Sequence, residues 1–254
     1  MTSFSAGHKE MSPLANEHTV RAYDAELNEL SQRIAEMGGL AEQQLAEAVT
    51  ALTQSNVELA QQVIRNDAQI DRLQRQIEES AILVIARRQP MALDLRQIVA
   101  SIHIANDLER IGDLAKNTAK RVIAMGDTFG SQRLVAGVQH MAELSLAQLK
   151  AVLDAFASRD LKAAIGVWER DGEIDAMNTS LFRELLTYMM EDPRTITLCT
   201  HLLFCAKNVE RIGDHATNIA ETLNYMITGQ PMTDERPKKD SASLTSVAFT
   251  APNK

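Results

Sequence analysis

The chain repeats itself. Asn106 to Asn117 reads NDLERIGDLAKN, and about a hundred residues later Asn208 to Asn218 reads NVERIGDHATN. The core ERIGD is identical in both places, Glu109-Arg110-Ile111-Gly112-Asp113 against Glu210-Arg211-Ile212-Gly213-Asp214. In each copy an Asn follows the Asp by four residues, Asn117 and Asn218. A duplication at this distance in a chain of 254 residues predicts two similar units, each with its own apolar core.

Composition decides what those units are made of. Gly (11), Pro (6) and aromatic residues (4%) are scarce, while Ala, Leu, Gln and Glu recur throughout. Small and straight-chain residues lose little rotamer freedom in a helix, so the expected fold is all-α. The formal net charge of -8, with Lys and Arg neither in excess nor clustered, argues against a nucleic-acid backbone binder and suits cations. Cys199 and Cys205 lie six apart in an apolar helical pattern and read as reduced core thiols. The first residues carry no apolar signal region, and the longest apolar runs fall far short of the ~20 residues that span a bilayer. A cytoplasmic protein is expected.

Taken in order, residues 1–16 read as a loose polar tail. From Glu17 the residues Leu27, Leu30, Ile34, Met37, Ala41, Leu45, Ala48 and Leu52 recur at threes and fours, and the stripe keeps its phase across Gly38-Gly39. This predicts one long helix. Ser55-Asn56-Val57-Glu58 has the form of a capping box and starts a second helix, with Ile70, Leu73, Ile77, Leu83 and Val84 on its apolar faces. Gln89-Pro90 ends it, and a third helix runs from Pro90 to Met125. Long helices joined by short turns pack antiparallel, giving a three-helix bundle over 17–125. Residues 126–130 are the linker. A second bundle over 131–228 repeats the plan, with one helix to Ala157, one from Ser158 or Asp160 to Glu191, and one from Pro193 to Ile227. From 229 to 254 the composition turns polar and Pro-rich, and a disordered tail is expected.

At about 100° per residue, Glu109 and Asp113 share the side of their helix that carries Ile98, Ile102 and Ala105. Glu210 and Asp214 likewise lie beside Cys199, Leu203 and Ala206. A partly buried acidic pair is costly unless something cationic meets it. Arg110 and Arg211 are candidates, although each points about 100° from its Glu. The preceding helix of each half supplies a second pair, Asp67 with Asp71 and Asp171 with Asp175. Carboxylates converging from two helices form a hard-oxygen site for a divalent or trivalent cation. Gly112 and Gly213 either let a neighbour approach closely or are plain packing glycines. His103 and His215 read as packing or surface residues. No Glu-x-x-His pair, P-loop, Rossmann pattern or Ser-His-Asp arrangement appears.

From Glu17 to Ile227 the chain resembles the PhoU family of phosphate transport accessory and regulatory proteins. The resemblance rests on EHTVRAYDAELNEL, on ARRQPMALDLRQI (Ala86 to Ile98) and on both ERIGD motifs. It implies two three-helix bundles related by a pseudo-twofold axis, in a cytoplasmic homodimer that is not an enzyme. It implies negative regulation of the phosphate regulon, with the Pst phosphate ABC transporter (through its ATPase subunit) and a PhoR-type sensor histidine kinase as partners. Membrane contact would be peripheral, through those partners. The family's E(D)xxxD motifs, which hold multinuclear clusters of iron, zinc or other divalent ions in some members, fall on Glu109/Asp113, Glu210/Asp214, Asp67/Asp71 and Asp171/Asp175, and iron, zinc, manganese or magnesium is expected there. Asn117 and Asn218 would be supporting oxygen donors. Pro193-Arg194-Thr195 replaces the RRQPMALDLR run in the second half, so the two sites are not expected to be equal. Two other readings stay open on the residues themselves: a metal-dependent hydrolase or oxidase, and a structural bundle whose carboxylates pair with Arg.

Overall fold

The computed structural model describes residues 13–126, 132–233 and 236. Among them seven α-helices follow in order: α1 Pro13–Gln54, α2 Val57–Arg88, α3 Ala92–Met125, α4 Gln132–Ser158, α5 Leu161–Glu169, α6 Asp171–Glu191 and α7 Ile196–Thr228. A 3-10 turn, Pro193–Thr195, precedes α7. No strand occurs among the described residues. The fold is all-α: α1 to α3 form the first bundle, and α4, the α5–α6 pair and α7 form the second.

The stripe of α1 explains the first bundle. All eight of its expected core residues are buried, six of them completely. Burying a large aliphatic side chain contributes about 1.5–3 kcal/mol, which outweighs the roughly 1 kcal/mol that each of Gly38 and Gly39 costs the helix. Gly38 is also a seat: a Cβ there would lie 2.7 Å from Leu153 of α4, where the two bundles meet. Helix α2 returns antiparallel to α1, as the pairs Glu26–Arg88, Arg33–Ser80 and Gln44–Asp67 show. Its Ile70, Ile77 and Val84 are buried, Leu73 is half-buried and Leu83 faces outward. Helices α3 and α7 run antiparallel through the middle of the molecule, with Asn208 donating to Thr118 at one level and His215 meeting Asp107 at another.

Several boundaries differ from expectation. Helix α1 starts at Pro13 rather than Glu17, while residues 1–12 lie outside the described part. The cap of α2 is Asn56, whose side chain accepts from the Leu59 amide at 2.9 Å; Ser55 instead takes the turn, with φ +53°. Gln89 ends α2 in the left-handed region, its amide bonding back to Ile85, so the chain leaves the right-handed helix at the residue before Pro90. Helix α3 then begins at Ala92. Residues 127–130 of the linker lie outside the described part. The helix expected from Asp160 to Glu191 is broken at Arg170 into α5 and α6, and Asp160 caps the first piece. The Arg170 carbonyl at the break accepts twice, from the Glu173 amide at 3.0 Å and from the Gln148 side chain at 3.1 Å. After Gly229 the described tail residues are held rather than loose: Asn224 donates to the Gln230 carbonyl, and Arg236 reaches into the second bundle.

Candidate functional site

The repeated glycines bring the acidic helices together. A Cβ on Gly112 would stand 2.9 Å from Ile70 Cδ1 and 3.4 Å from Asp67 Oδ1; one on Gly213 would stand 2.7 Å from Ile174 Cδ1. Each Ile of the preceding helix therefore seats on a bare stretch of backbone. Asp67 and Asp171, three residues before those isoleucines, are carried against the ERIGD helix and are buried.

In the first bundle Asp67 is held from two sides. Gln44 of α1 donates to its Oδ1 at 3.0 Å and to the Gly112 carbonyl at 3.2 Å. Lys116 of α3 bridges Asp67 and Asp113 with its ammonium. Burial works against the charge on Lys116, but its hydrogen bonds to Asp113 and Asp67 prevail and raise its pKa. Glu109 and Asp71 complete the cluster at its half-buried edge. Burial raises the Glu109 pKa, and the nearby Asp113, Asp71 and Asp67 add to the rise. Arg110, exposed, still lies 3.4 Å from Glu109 and 3.6 Å from Asp113.

The second bundle solves the same problem differently. Thr217 stands where Lys116 stands in the first repeat, and its hydroxyl donates to Asp171 at 2.9 Å. The cation comes from Arg236, beyond the last helix. Its guanidinium spans both oxygens of Asp171 at 2.7 Å and reaches Asp214 Oδ1 at 2.8 Å and Asn218 Oδ1 at 3.3 Å. Glu210 is buried, with Oε1 2.9 Å from Lys207 Nζ; its Oε2 has no partner among the described residues. Burial raises its pKa, the Lys207 hydrogen bond opposes this, and Asp214 and Asp175 raise it further. Gln148 Oε1, also buried, lacks a partner too.

In the first half Asp113, Asp71 and Asp67 all act on Glu109; in the second Asp214 and Asp175 act on Glu210, and Arg236 joins Asp214 to Asp171. Among the described residues, no three His, Cys, Asp or Glu side chains are gathered closely enough to hold a metal ion. Asn117 is exposed, its Oδ1 3.5 Å from Lys120. Asn218 faces Arg236 with its oxygen and Asp107 of α3 with its amide. Arg211 is exposed. The cations that matter, Lys116 and Arg236, were missed. Lys116 was findable, since it follows Asp113 at the i,i+3 spacing that pairs charges on a helix; Arg236 carries no such signal. Cys199 and Cys205 are free and buried, and burial pushes the Cys205 thiol up to about 12.

The PhoU domain model matches residues 34–122 and again 138–223, one match in each bundle. The chain belongs to the PhoU family. It is 61% identical over 230 residues to the phosphate-specific transport system accessory protein PhoU homolog of Rhizobium meliloti (strain 1021), covering 91% of this chain and 97% of that one. The homolog from Caulobacter vibrioides (strain NA1000 / CB15N) is 50% identical, over 89% and 99% of the two chains. The crystal structure of PhoU from Pseudomonas aeruginosa superposes with a TM-score of 0.79 at 40% identity, covering 82% of this chain and all of that one. The phosphate transport system regulatory protein PhoU from Streptococcus pneumoniae gives 0.77 at 30% identity, over 83% and 99%. No helix among the described residues is long and apolar enough to cross a membrane.

Proposed function

We propose that this protein is an accessory regulator of phosphate-specific transport. It acts as a cytoplasmic, homodimeric helical scaffold without catalytic activity. It restrains the Pst ABC transporter through its ATPase subunit and, with a PhoR-type sensor histidine kinase, keeps the phosphate regulon off when phosphate is plentiful. The observation that carries this reading is the family match in both repeats, with nine-tenths of the chain aligned to proteins named for that accessory role. The test is deletion of the gene and measurement of a phosphate-scavenging reporter in high phosphate. Derepression that the wild-type gene reverses is expected, and unchanged expression would remove the proposal.

The acidic clusters are the cation-responsive part of that scaffold. Their donors are hard oxygens, suited to a divalent or trivalent ion such as iron, zinc, manganese or magnesium. In the second half two buried oxygens, Glu210 Oε2 and Gln148 Oε1, still lack partners. Glu109, Asp113, Asp67 and Asp71 would hold one set of ions, and Glu210, Asp214, Asp171 and Asp175 the other, with Asn117 and Asn218 as further donors. Bound there, such ions supply positive charge that ties neighbouring helices together. A second reading has its own support: Lys116 and Arg236 already cross-link the carboxylates, as a metal-free structural clamp would. Metal analysis after mild purification separates the two. A pull-down of the transporter ATPase and the kinase, with and without chelator, then reports whether ions matter for partnership.

A further inference from the structure

The first cluster carries its own counter-charge, because Lys116 lies one turn from Asp113 on the same helix. The second has none at that position, since Thr217 cannot be charged. Lys207 of α7 pairs with Glu210, but the counter-charge that Asp171 and Asp214 share arrives on a segment outside the bundle. Arg236 is 83% buried by side chain (17% exposed) against an Asp171 left only 3% exposed. A planar fork spanning both oxygens of one carboxylate while touching a second is a fixed geometry, available to Arg and not to Lys. The segment leading to it also has a place in the fold. Pro231, Met232 and Arg236 form one wall of a groove of about 560 Å³ between α3 and α7, facing His103 and Tyr225.

We propose that Arg236 is a latch which holds residues 229–233 against the groove between α3 and α7, and that a divalent cation entering the second acidic cluster releases it. The inference rests on the cation-binding part of the function proposed above. Both oxygens of Asp171 and one of Asp214 already serve the guanidinium, so cation and latch compete for the same atoms. The unpartnered oxygens of Glu210 and Gln148 are what the cluster offers an ion and the guanidinium does not use. Opening the strap removes one wall of the groove along α3 and α7. The second repeat therefore converts cation binding into a change of surface, whereas the first, neutralised from within its own helix, does not.

The test follows hydrogen–deuterium exchange of residues 229–233 in the full-length protein, during titration with manganese(II) and again in excess chelator. Manganese should raise exchange in this segment, while Arg236→Gln and Asp171→Asn should show the raised level without metal. Arg236→Gln should also tighten manganese binding at the second cluster about tenfold, the factor lost by a site whose competent state is populated only one part in ten. Manganese that binds while leaving the segment protected would overturn the latch and spare the cation reading. Both variants exchanging like wild type would overturn the latch whatever the metal does. Absence of manganese binding in wild type and Arg236→Gln alike would overturn the cation reading and the latch with it. Far-UV circular dichroism of each variant confirms that the helices are intact.

Discussion

Ile70 of α2 seats its Cδ1 over the backbone of Gly112 in α3, at a distance where a Cβ on the glycine would stand 2.9 Å away. Ile174 and Gly213 repeat the arrangement in the second bundle. This contact sets the helix separation at which Asp67 meets Lys116. Gly112→Ala gains about 1 kcal/mol of helix propensity. It also overpacks a fully buried, β-branched neighbour, which costs typically 1–3 kcal/mol. A net loss of about 1 kcal/mol is expected in urea unfolding. Ile70→Val removes the one methyl in the way, so the alanine should be tolerated, or stabilising, in that background. Equal effects of the alanine in both backgrounds would show that this methyl does not set the spacing.

Lys116 neutralises a carboxylate that is almost fully enclosed, Asp67 being 4% exposed. Lys116→Met keeps the stem but strands that charge. Breaking a buried pair costs about 3–5 kcal/mol, and the lower end applies because Lys116 remains a fifth exposed. Adding Asp67→Asn should recover most of the loss, since an amide needs no counter-charge and Gln44 can still be its neighbour. A double variant no more stable than Lys116→Met alone would place the damage in packing instead.

How much of this was legible depends on whether the signal was local. The stripe from Leu27 to Leu52 and the ERIGD copies are periodic, and periodicity survives reading one residue at a time. The carboxylates were placed correctly beside the apolar stripe for the same reason. Arg236 was not legible, because it contacts Asp171 across 65 residues and sits in a segment with disorder-like composition. The break at Arg170 was not legible either; Gln148, on another helix and 22 residues away, adds a second hydrogen bond to its carbonyl, and no local spacing announces that.

The start of α2 shows a local signal read one residue out of register. Ser55 and Glu58 have capping-box spacing, yet Asn56 holds the Leu59 amide. Asn56→Ala should therefore cost about 1 kcal/mol, the usual worth of an N-cap side chain. Ser55→Ala should cost little, and Ser55→Gly should stabilise by a few tenths to about 1 kcal/mol, because Ser55 sits at φ +53° where glycine is unstrained. Thermal denaturation of the three variants checks the order. A Ser55→Ala loss larger than that of Asn56→Ala would restore the serine as the cap.

Glu210 makes the fold sensitive to pH in a definite direction. Its pKa is raised above the ordinary 4.5 by burial and by Asp214 and Asp175, against the pull of Lys207. A raised pKa means that the folded state binds the proton more tightly than the unfolded chain. Its contribution is thus fully present below about pH 4.5 and is lost as pH rises through the folded value. Glu210→Gln should abolish this dependence, leaving a protein as stable as wild type or more so at pH 7, with the advantage shrinking as pH falls toward 5. Thermal melts at both pH values, without metal, give the comparison. With manganese(II) present the order at pH 7 should invert, because the ion stabilises the carboxylate and has little use for the amide. A variant destabilised without metal at pH 7 would instead make the Lys207 pair, half-exposed as it is, the dominant interaction of Glu210.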